Sequence, residues 1–303
     1  MDETHCQLVS VYALMKSASH RSPMPSSDFG GLSPNWYLNL FPGCILHVCS
    51  QALPEFMKKV LPNINVPFKL LTNNSDSTIP NDYDCQVILD NPFLLKWYAQ
   101  NCVGTHDKFV KIPIGLNYHS MVPSERKKHL WSKPEQHRWG WGTTKYATEQ
   151  EADIVNLKNS SKPFWQRQIK GYGNYQFVNK TRYGLVDRHD ALQSVSRDLV
   201  FYEPIKVTRD VCWKNMIQHA FVISPHGNGL DCHRTWEALC LGCIPIVKTS
   251  GLDSLFDDLP VWIVSNWSDV TQENMVKKIE EFKTKTFKYE KLTMAYWRNI
   301  LNE

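Results

Sequence analysis

The run Phe221 to Ser250, FVISPHGNGLDCHRTWEALCLGCIPIVKTS, leaves this chain few ways to fold. Ala220-Phe221-Val222-Ile223 is apolar and largely β-forming, and it breaks at Ser224-Pro225-His226-Gly227-Asn228-Gly229, where two glycines open backbone conformations closed to other residues. A buried strand therefore ends in a loop. Asp231 is placed to cap a helix over Cys232 to Leu241, Gly242 stops that helix, and Cys243-Ile244-Pro245-Ile246-Val247 starts a second buried strand. Strand, loop, helix and strand form one βαβ unit, and such units build parallel sheets whose ligand sites lie at the carboxyl ends of the strands. On the helix, Arg234 and Glu237 are three positions apart and share a face, while Trp236, Leu239 and Cys240 turn toward a sheet. A helix start behind a glycine-punctuated loop, with His226, Asn228, Gly229 and Arg234 beside it, suits an anionic or sugar-phosphate ligand. Taken singly, each of these residues is a loop or cap residue, or half of a solvated Arg–Glu pair. Gathered at one strand end, they favour a site.

The 303 residues suffice for two ordinary domains, each with its own core. Lys plus Arg number 34 against 30 for Asp plus Glu, a net of +4 with no block of like charge, so neither nucleic acid nor a membrane surface is demanded as a partner. The 11 Trp, 12 Tyr and 13 Phe could stack on sugars or bases, although most such rings fill cores. The 9 cysteines are odd in number and scattered through apolar runs, the pattern of reduced, buried thiols in a cytoplasmic protein, so no disulfide framework is expected. The opening MDETHCQLVSVYALMKSASHR begins acidic and holds only a short apolar stretch; it resembles neither a signal peptide nor an anchor, and no transmembrane segment is expected. Sequons at Asn73, Asn159, Asn179 and Asn266 are discounted for a chain in that compartment.

Residues 1 to about 40 carry Ser, Pro and Gly clusters and read as an irregular lead-in without visible chemistry. Then Cys44 to Val48 reads as a strand, Leu53 to Val60 as an amphipathic helix and Phe68 to Leu71 as a second strand, which empties into Thr72-Asn73-Asn74-Ser75-Asp76-Ser77. Such polar loops place catalytic groups at a sheet's carboxyl edge, and Asp76 is the carboxylate to follow; a lone Asp in a Ser/Asn-rich loop would otherwise be a turn or cap residue. Cys85 to Leu89 is expected to be the next strand, Pro92 to Asn101 a helix, and Phe109 to Ile114 a strand opening into Gly115 to His119. Asp82-Tyr83-Asp84 is a D-x-D of the kind that can hold a metal against a diphosphate, but it precedes its strand and reads as turn chemistry. From Ser124 to about Lys162 the pattern loosens into a linker or lid, and Trp139-Gly140-Trp141-Gly142 could meet an acceptor sugar or pack on its own domain.

A second α/β series follows. The pattern predicts a strand at Tyr175 to Val178, a helix from about Thr181 to Val195, a strand at Leu199 to Tyr202 and a helix from about Asp210 to His219. Lys180 and Arg182 fall where a strand hands over to a helix, a place where cations and free N–H groups meet phosphate. Arg188, farther along the same helix, is a weaker candidate for that role and reads as a surface residue. Later come a strand at Val261 to Val264, a helix from Val270 to about Phe282 and a terminal helix from Tyr289 to Leu301. Cys240-x-x-Cys243 has ligand-like spacing, but no second such pair closes a tetrahedral zinc site, and no metal site is expected. Cys232, near a helix start, is where a thiolate could be stabilised.

At SPHGNGLDCHRTWEALCLGCIPIV the chain resembles the exostosin-like glycosyltransferases of GT-B architecture, and within them the small xylosyltransferase-like enzymes of large algal viruses. FKLLTNNSDSTIP looks like that family's acidic loop facing the nucleotide-sugar cleft, and KWYAQN with KFVKIPIGLNYH is similar to its next unit. The resemblance implies two Rossmann-like α/β domains facing a cleft. Residues 1–165 would form the acceptor side, 166–285 would bind the nucleotide sugar, and 286–303 would pack back on the first domain. His226 and Asn228 would touch donor phosphate or sugar, Arg234 would offset the diphosphate, Glu237 would accept a ribose or sugar hydroxyl, and Asp76 would be the general base. The family acidic loop usually has Gly before its Ser/Asp pair, where this chain has Asn73-Asn74. The retaining pattern of two glutamates eight apart is not met, because position 245 is Pro and position 229 is Gly, so inversion is favoured. The expected activity is metal- and cofactor-independent transfer from a nucleotide sugar, UDP-xylose-like, to a glycan acceptor in the cytoplasm, or the host cytoplasm if the chain is viral. The alternatives are a nucleotide- or glycan-binding module without catalysis, and a zinc or thiol enzyme centred on Cys232 and Cys240.

Overall fold

The computed structural model describes residues 3–22, 32–118, 145–175, 184–205 and 207–303. In chain order the elements are α1 (Val11–Lys16), β1 (Cys44–Cys49), α2 (Leu53–Lys59), β2 (Phe68–Asn73), α3 (Gln86–Leu89), β3 (Leu94–Gln100) and β4 (Phe109–Ile112). They continue with α4 (Ala147–Ser160), β5 (Gln168–Gly173), α5 (Gly184–Ser194), β6 (Val200–Tyr202), α6 (Arg209–Met216), β7 (His219–Ile223), α7 (His233–Cys240), β8 (Ile244–Lys248), β9 (Trp262–Val264), α8 (Gln272–Lys283) and α9 (Met294–Asn302).

The strands form two sheets, one of 4 strands in the order β1-β2-β3-β4 and one of 5 in the order β6-β5-β7-β8-β9. Every pairing in both is parallel. Parallel sheets are covered on both faces, which explains the unbroken burial of CILHVC in β1 and HAFVI in β7. In the first sheet, Leu46, Leu70, Trp97 and Ala99 point into a core with Leu53 and Phe56 of α2 and Ile88 of α3. Ile45, Leu71, Tyr98 and Ile112 point the other way, into a core with Leu14 of α1 and Trp297 and Leu301 of α9. The last helix thus packs on the first sheet, and its terminal carbonyls, which no helical turn can satisfy, accept from Lys69 Nζ (Leu301 O, 2.9 Å) and Tyr98 Oη (Ile300 O, 2.9 Å).

In the second sheet, Phe221 and Ile223 of β7 pack with Ala191 of α5 and Ile279 of α8, whereas Val222 joins Trp213 of α6 and Trp236 of α7 on the opposite face. Helices therefore cover both sides. The strand order is second, first, third, fourth, fifth in chain order, so the connections diverge between β5 and β7, which is where doubly wound sheets bind ligands. The carboxyl ends of the two sheets meet: residues after β2, β3 and β4 touch the loop that follows β7. Two Rossmann-like α/β units joined in this way make a GT-B-like fold.

Four expectations need correcting. Residues 85–89 and 92–101 exchange roles: Gln86–Leu89 is a helical turn, with Gln86 and Val87 outward and Ile88 and Leu89 inward, and Leu94–Gln100 is the strand. The alternation of Trp97 and Ala99 against Tyr98, together with the strand preference of Trp and Tyr, decides the second segment. The lead-in is not merely irregular, since Val11 to Met15 are buried in α1 and Ser10 bridges to Leu116. The strand expected at Tyr175 to Val178 lies earlier, at Gln168–Gly173, and residues 176–178 are outside the described residues. The Trp/Gly-rich run 131–146 falls outside them through residue 144. The D-x-D is a turn: Asp82 Oδ2 accepts from Thr78 N at 2.8 Å.

Candidate active site

The loop after β7 is held from three directions. At its start Ser224 N donates to Ile246 O (2.9 Å), and Ser224 Oγ lies 2.8 Å from Thr235 Oγ1 of α7. His226 is buried: its N–H donates to Asp187 Oδ2 (2.7 Å), its carbonyl accepts from Arg188 Nε (3.1 Å), and its Nδ1 faces Leu230 O at 2.9 Å. A ring nitrogen facing a carbonyl must carry its hydrogen, so the Nδ1–H tautomer is set. The second oxygen of Asp187 accepts from Trp267 Nε1 (2.7 Å), which ties the loop to the far face of the sheet. At Gly227 a Cβ would come 2.9 Å from Arg188 Nη2, so the guanidinium takes the space that a side chain would need.

Arg234 leaves the start of α7 and donates from Nη2 to Pro225 O (3.0 Å), with its guanidinium carbon 5.4 Å from the centre of the Tyr175 ring. Its Nε is buried without a hydrogen-bond partner among the described residues. Burial, and after it the charge of Arg234, pushes the Arg188 guanidinium below its ordinary pKa. Two mutually repelling guanidiniums beneath a helix start make a place that an anion would relieve. The structure overturns the reading of Arg188 as a surface residue, because the loop folds over it. Glu237 does not pair with Arg234. It forms an ion pair with Arg209 at the start of α6, both side chains being 14% exposed. Lys180 and Arg182 lie outside the described residues.

From the other domain, the chain leaves β2 through Asn74 in the left-handed region (φ 60°), a backbone conformation that Asn tolerates better than most residues, and presents Asp76 at the surface. Asn228 Nδ2 donates to Asp76 Oδ2 at 2.8 Å, so the base candidate and the glycine-rich loop meet across the domain boundary. Gly229 makes that approach possible: a Cβ there would lie 2.7 Å from Asn101 Nδ2 and 3.2 Å from Asp76 Cα. Further bonds cross the same seam. Asp231 Oδ2 accepts from Ile114 N (2.7 Å), Asp231 N donates to Asn101 Oδ1 (2.8 Å), and His233 Nδ1 lies 2.7 Å from Gly115 O.

Asp231 does not cap α7 as expected; the N-cap is Cys232, and the Asp231 carboxylate accepts from Cys232 N (2.9 Å) and Trp236 Nε1 (2.9 Å) as well as from Ile114. Burial pushes this carboxyl up to about 7 against the pull of those donors. The thiolate reading of Cys232 fails on the same ground: burial raises its thiol pKa and outweighs Arg234 and Arg188. Cys243 is buried with Arg167 Nη1 3.1 Å from its sulfur, and burial pushes Cys240 up to about 12. Cys232 and Cys240 stand at opposite ends of α7. Among the described residues no group of three or more His, Cys, Asp or Glu side chains could hold a metal ion.

Three residues that shape this site were not singled out from the sequence: Asp187, Tyr175 as the ring beneath Arg234, and Asn101. Only Asn101 carried a usable signal, as a polar residue directly after a buried strand.

No known family matches the chain, and no curated protein does. Among solved structures it is similar to one described as trehalose-6-phosphate from E. coli bound with UDP-2-fluoro glucose, at 12% identity and a TM-score of 0.38, covering 89% of this chain and 72% of that one. Another is the N-terminal domain of Candida albicans trehalose-6-phosphate phosphatase, at 11% identity and a TM-score of 0.40, covering 89% of this chain and 75% of that one.

Proposed function

We propose that this chain is an inverting, metal-independent glycosyltransferase of the exostosin-like kind, moving a sugar from a nucleotide donor, UDP-xylose-like, to a glycan hydroxyl. The observation that carries the reading is the contact of Asp76 with Asn228 at 2.8 Å, which puts one domain's loop carboxylate against the other domain's anion-ready loop. The donor diphosphate lies at the start of α7, met by Arg234 and by the loop of His226, Asn228 and Gly229. Glu237, oriented by Arg209, accepts a ribose or sugar hydroxyl. Asp76 takes the proton of the acceptor hydroxyl as its oxygen bonds the anomeric carbon, and the bond from that carbon to the phosphate oxygen breaks on the opposite face. The leaving nucleoside diphosphate takes the electron pair, and the guanidiniums and helix N–H groups stabilise its charge. No helix among the described residues is long and apolar enough to cross a membrane. Eight of the nine cysteines are buried, in keeping with a reducing compartment such as the cytoplasm.

The test is incubation with a panel of UDP- and GDP-sugars in EDTA, following donor hydrolysis, donor binding and transfer. A catalyst should lose turnover by about 10²- to 10⁴-fold in Asp76→Asn while keeping donor affinity, the range that general bases contribute. Donor binding without turnover in either protein would leave a binding module. No binding and no hydrolysis with any donor would end the proposal.

A further inference from the structure

We propose that Asn101 is the positioning residue of this site: one buried side-chain amide fixes the loop of Asp76 relative to the start of α7. The inference rests on the glycosyltransferase reading for its catalytic consequence, and on geometry alone for the coupling itself. Asn101 is 1% exposed and follows the last residue of β3, at the carboxyl edge where the two sheets meet. Its Oδ1 accepts from Asp231 N at 2.8 Å, and its Nδ2 lies 3.3 Å from Ser75 O. The two ends of a single amide therefore belong to different domains, one bound next to Asp76 and the other at the residue that leads into the Cys232 N-cap of α7. Gln100 supports the first end, donating from Nε2 to Ser75 O (2.8 Å) and accepting from Asn74 N (3.1 Å).

Residue type is constrained here on three counts. The backbone of Asn101 lies in the left-handed region, at φ 53°, which Asn and Gly adopt far more readily than other residues. The side chain must carry both an acceptor and a donor, because it is buried between an N–H and a carbonyl. Gly229 packs against the amide so closely that any Cβ would fall 2.7 Å from Nδ2. Asn228, which reaches Asp76, is the neighbour of that glycine, so its distance to the carboxylate is set by how the backbone rests on Asn101.

The decisive experiment pairs hydrogen exchange with kinetics in Asn101→Gly, which deletes the amide without backbone strain, and in Asn101→Asp, which keeps the acceptor for Asp231 N but not the donor to Ser75 O. In Asn101→Gly, exchange of amides in 74–79 and 226–232 should rise at least tenfold while β1 and β8 stay at wild-type rates. In Asn101→Asp the rise should be confined to 74–79. With donor, kcat should fall at least tenfold and donor KM should move by less than threefold in both. Gly229→Ala presses on the same amide from the other side and should reproduce the Asn101→Gly exchange pattern, which is the only readout taken from it because Gly229 belongs to the donor loop; it serves if Asn101→Gly does not fold. Unchanged exchange in both loops, or an even rise across the whole chain, would overturn the proposal, as would equal losses in kcat and donor affinity. If the wild-type protein transfers no sugar, the glycosyltransferase reading fails, and the exchange pattern still decides whether Asn101 couples the two loops.

Discussion

Asp231→Asn should shift stability in opposite directions on the two sides of neutrality. The carboxylate sits at the domain seam, fully buried, and burial pushes its pKa from 3.8 up to about 7 even though Ile114 N, Trp236 Nε1 and Cys232 N all donate to it. Because the folded-state value is raised, the native protein holds this proton more tightly than the unfolded chain does. The group's contribution is fully present below about pH 4 and is lost as pH rises through about 7. Three units at about 1.4 kcal/mol each come to roughly 4 kcal/mol. An asparagine has the same shape and does not titrate, but its NH₂ must face one of the three N–H donors, a fixed cost of about 1–3 kcal/mol. The variant should therefore be less stable than wild type by about 2 kcal/mol near pH 4, and more stable by a similar amount near pH 8. Urea unfolding between pH 4 and pH 8, read by tryptophan fluorescence, measures this, since Trp236 bonds the carboxylate directly. Glu3, whose burial also pushes it up to about 7, titrates in the same window but cancels in the difference between the two proteins. A difference that stays flat across that range would refute the reasoning, because it would mean that the three donors hold the carboxylate ionised throughout.

Two further outcomes follow from other parts of the molecule. Arg234→Ala should weaken binding of a nucleoside diphosphate by roughly 10- to 100-fold, the scale of a lost charge-assisted bond of about 1.5–3 kcal/mol; Arg234→Lys should recover little, because a lysine cannot lie over Tyr175 and reach Pro225 O together, and calorimetric titration reads both. His47 is 1% exposed beside Asn73, and burial pushes its pKa from 6.5 down to about 4. Its stabilising contribution is present above about pH 6.5 and lost as pH falls toward 4, by up to about 3 kcal/mol, so His47→Gln should be the less acid-labile protein when unfolding is compared at pH 7 and pH 4.5.

The elements that could be read from the sequence were those whose burial pattern is local. Strands β1, β2 and β7 are buried along their whole length because both faces of a parallel sheet are covered, and each carries a short apolar stretch that marks it; Gly242 (φ 72°) ends α7 where its lack of a side chain allows the turn. Strand β5 was not readable. QIKGYG has two glycines and only its last three residues are buried, so it carries neither an alternation nor a run. Its glycines are there for the neighbours: a Cβ on Gly171 would meet Ile223 at 2.8 Å, and one on Gly173 would run into the Tyr202 ring. Those partners belong to strands far along the chain, and no window centred on β5 contains them. The helix α1 was obscured differently, because the Ser/Pro cluster that follows it dominates the composition of the region while Ala13 and Leu14 are placed by a sheet that begins at Cys44.

The same distinction explains the candidate site. His226, Gly229 and Arg234 are neighbours in sequence, and their grouping at one strand end was visible. Glu237 shares their helix, but a salt bridge turns it to Arg209, twenty-eight positions upstream. Asp187 beneath His226, and Asn101 beneath Gly229, come from elements placed there by topology, 39 and 130 positions from their bonding partners His226 and Asp231. For Asn101 the loss has a definite cause. Once residues 92–101 are assigned the period of a helix, Asn101 is a helix end with nothing to reach. Assigned the period of a strand, the same residue stands at the carboxyl edge of a parallel sheet, beside Asp76, and the general rule for α/β sheets makes it a site residue. Periodicity therefore determines more here than secondary structure. In a parallel sheet it decides which residues arrive at the ligand edge, and a single misassigned segment removes one of them from view.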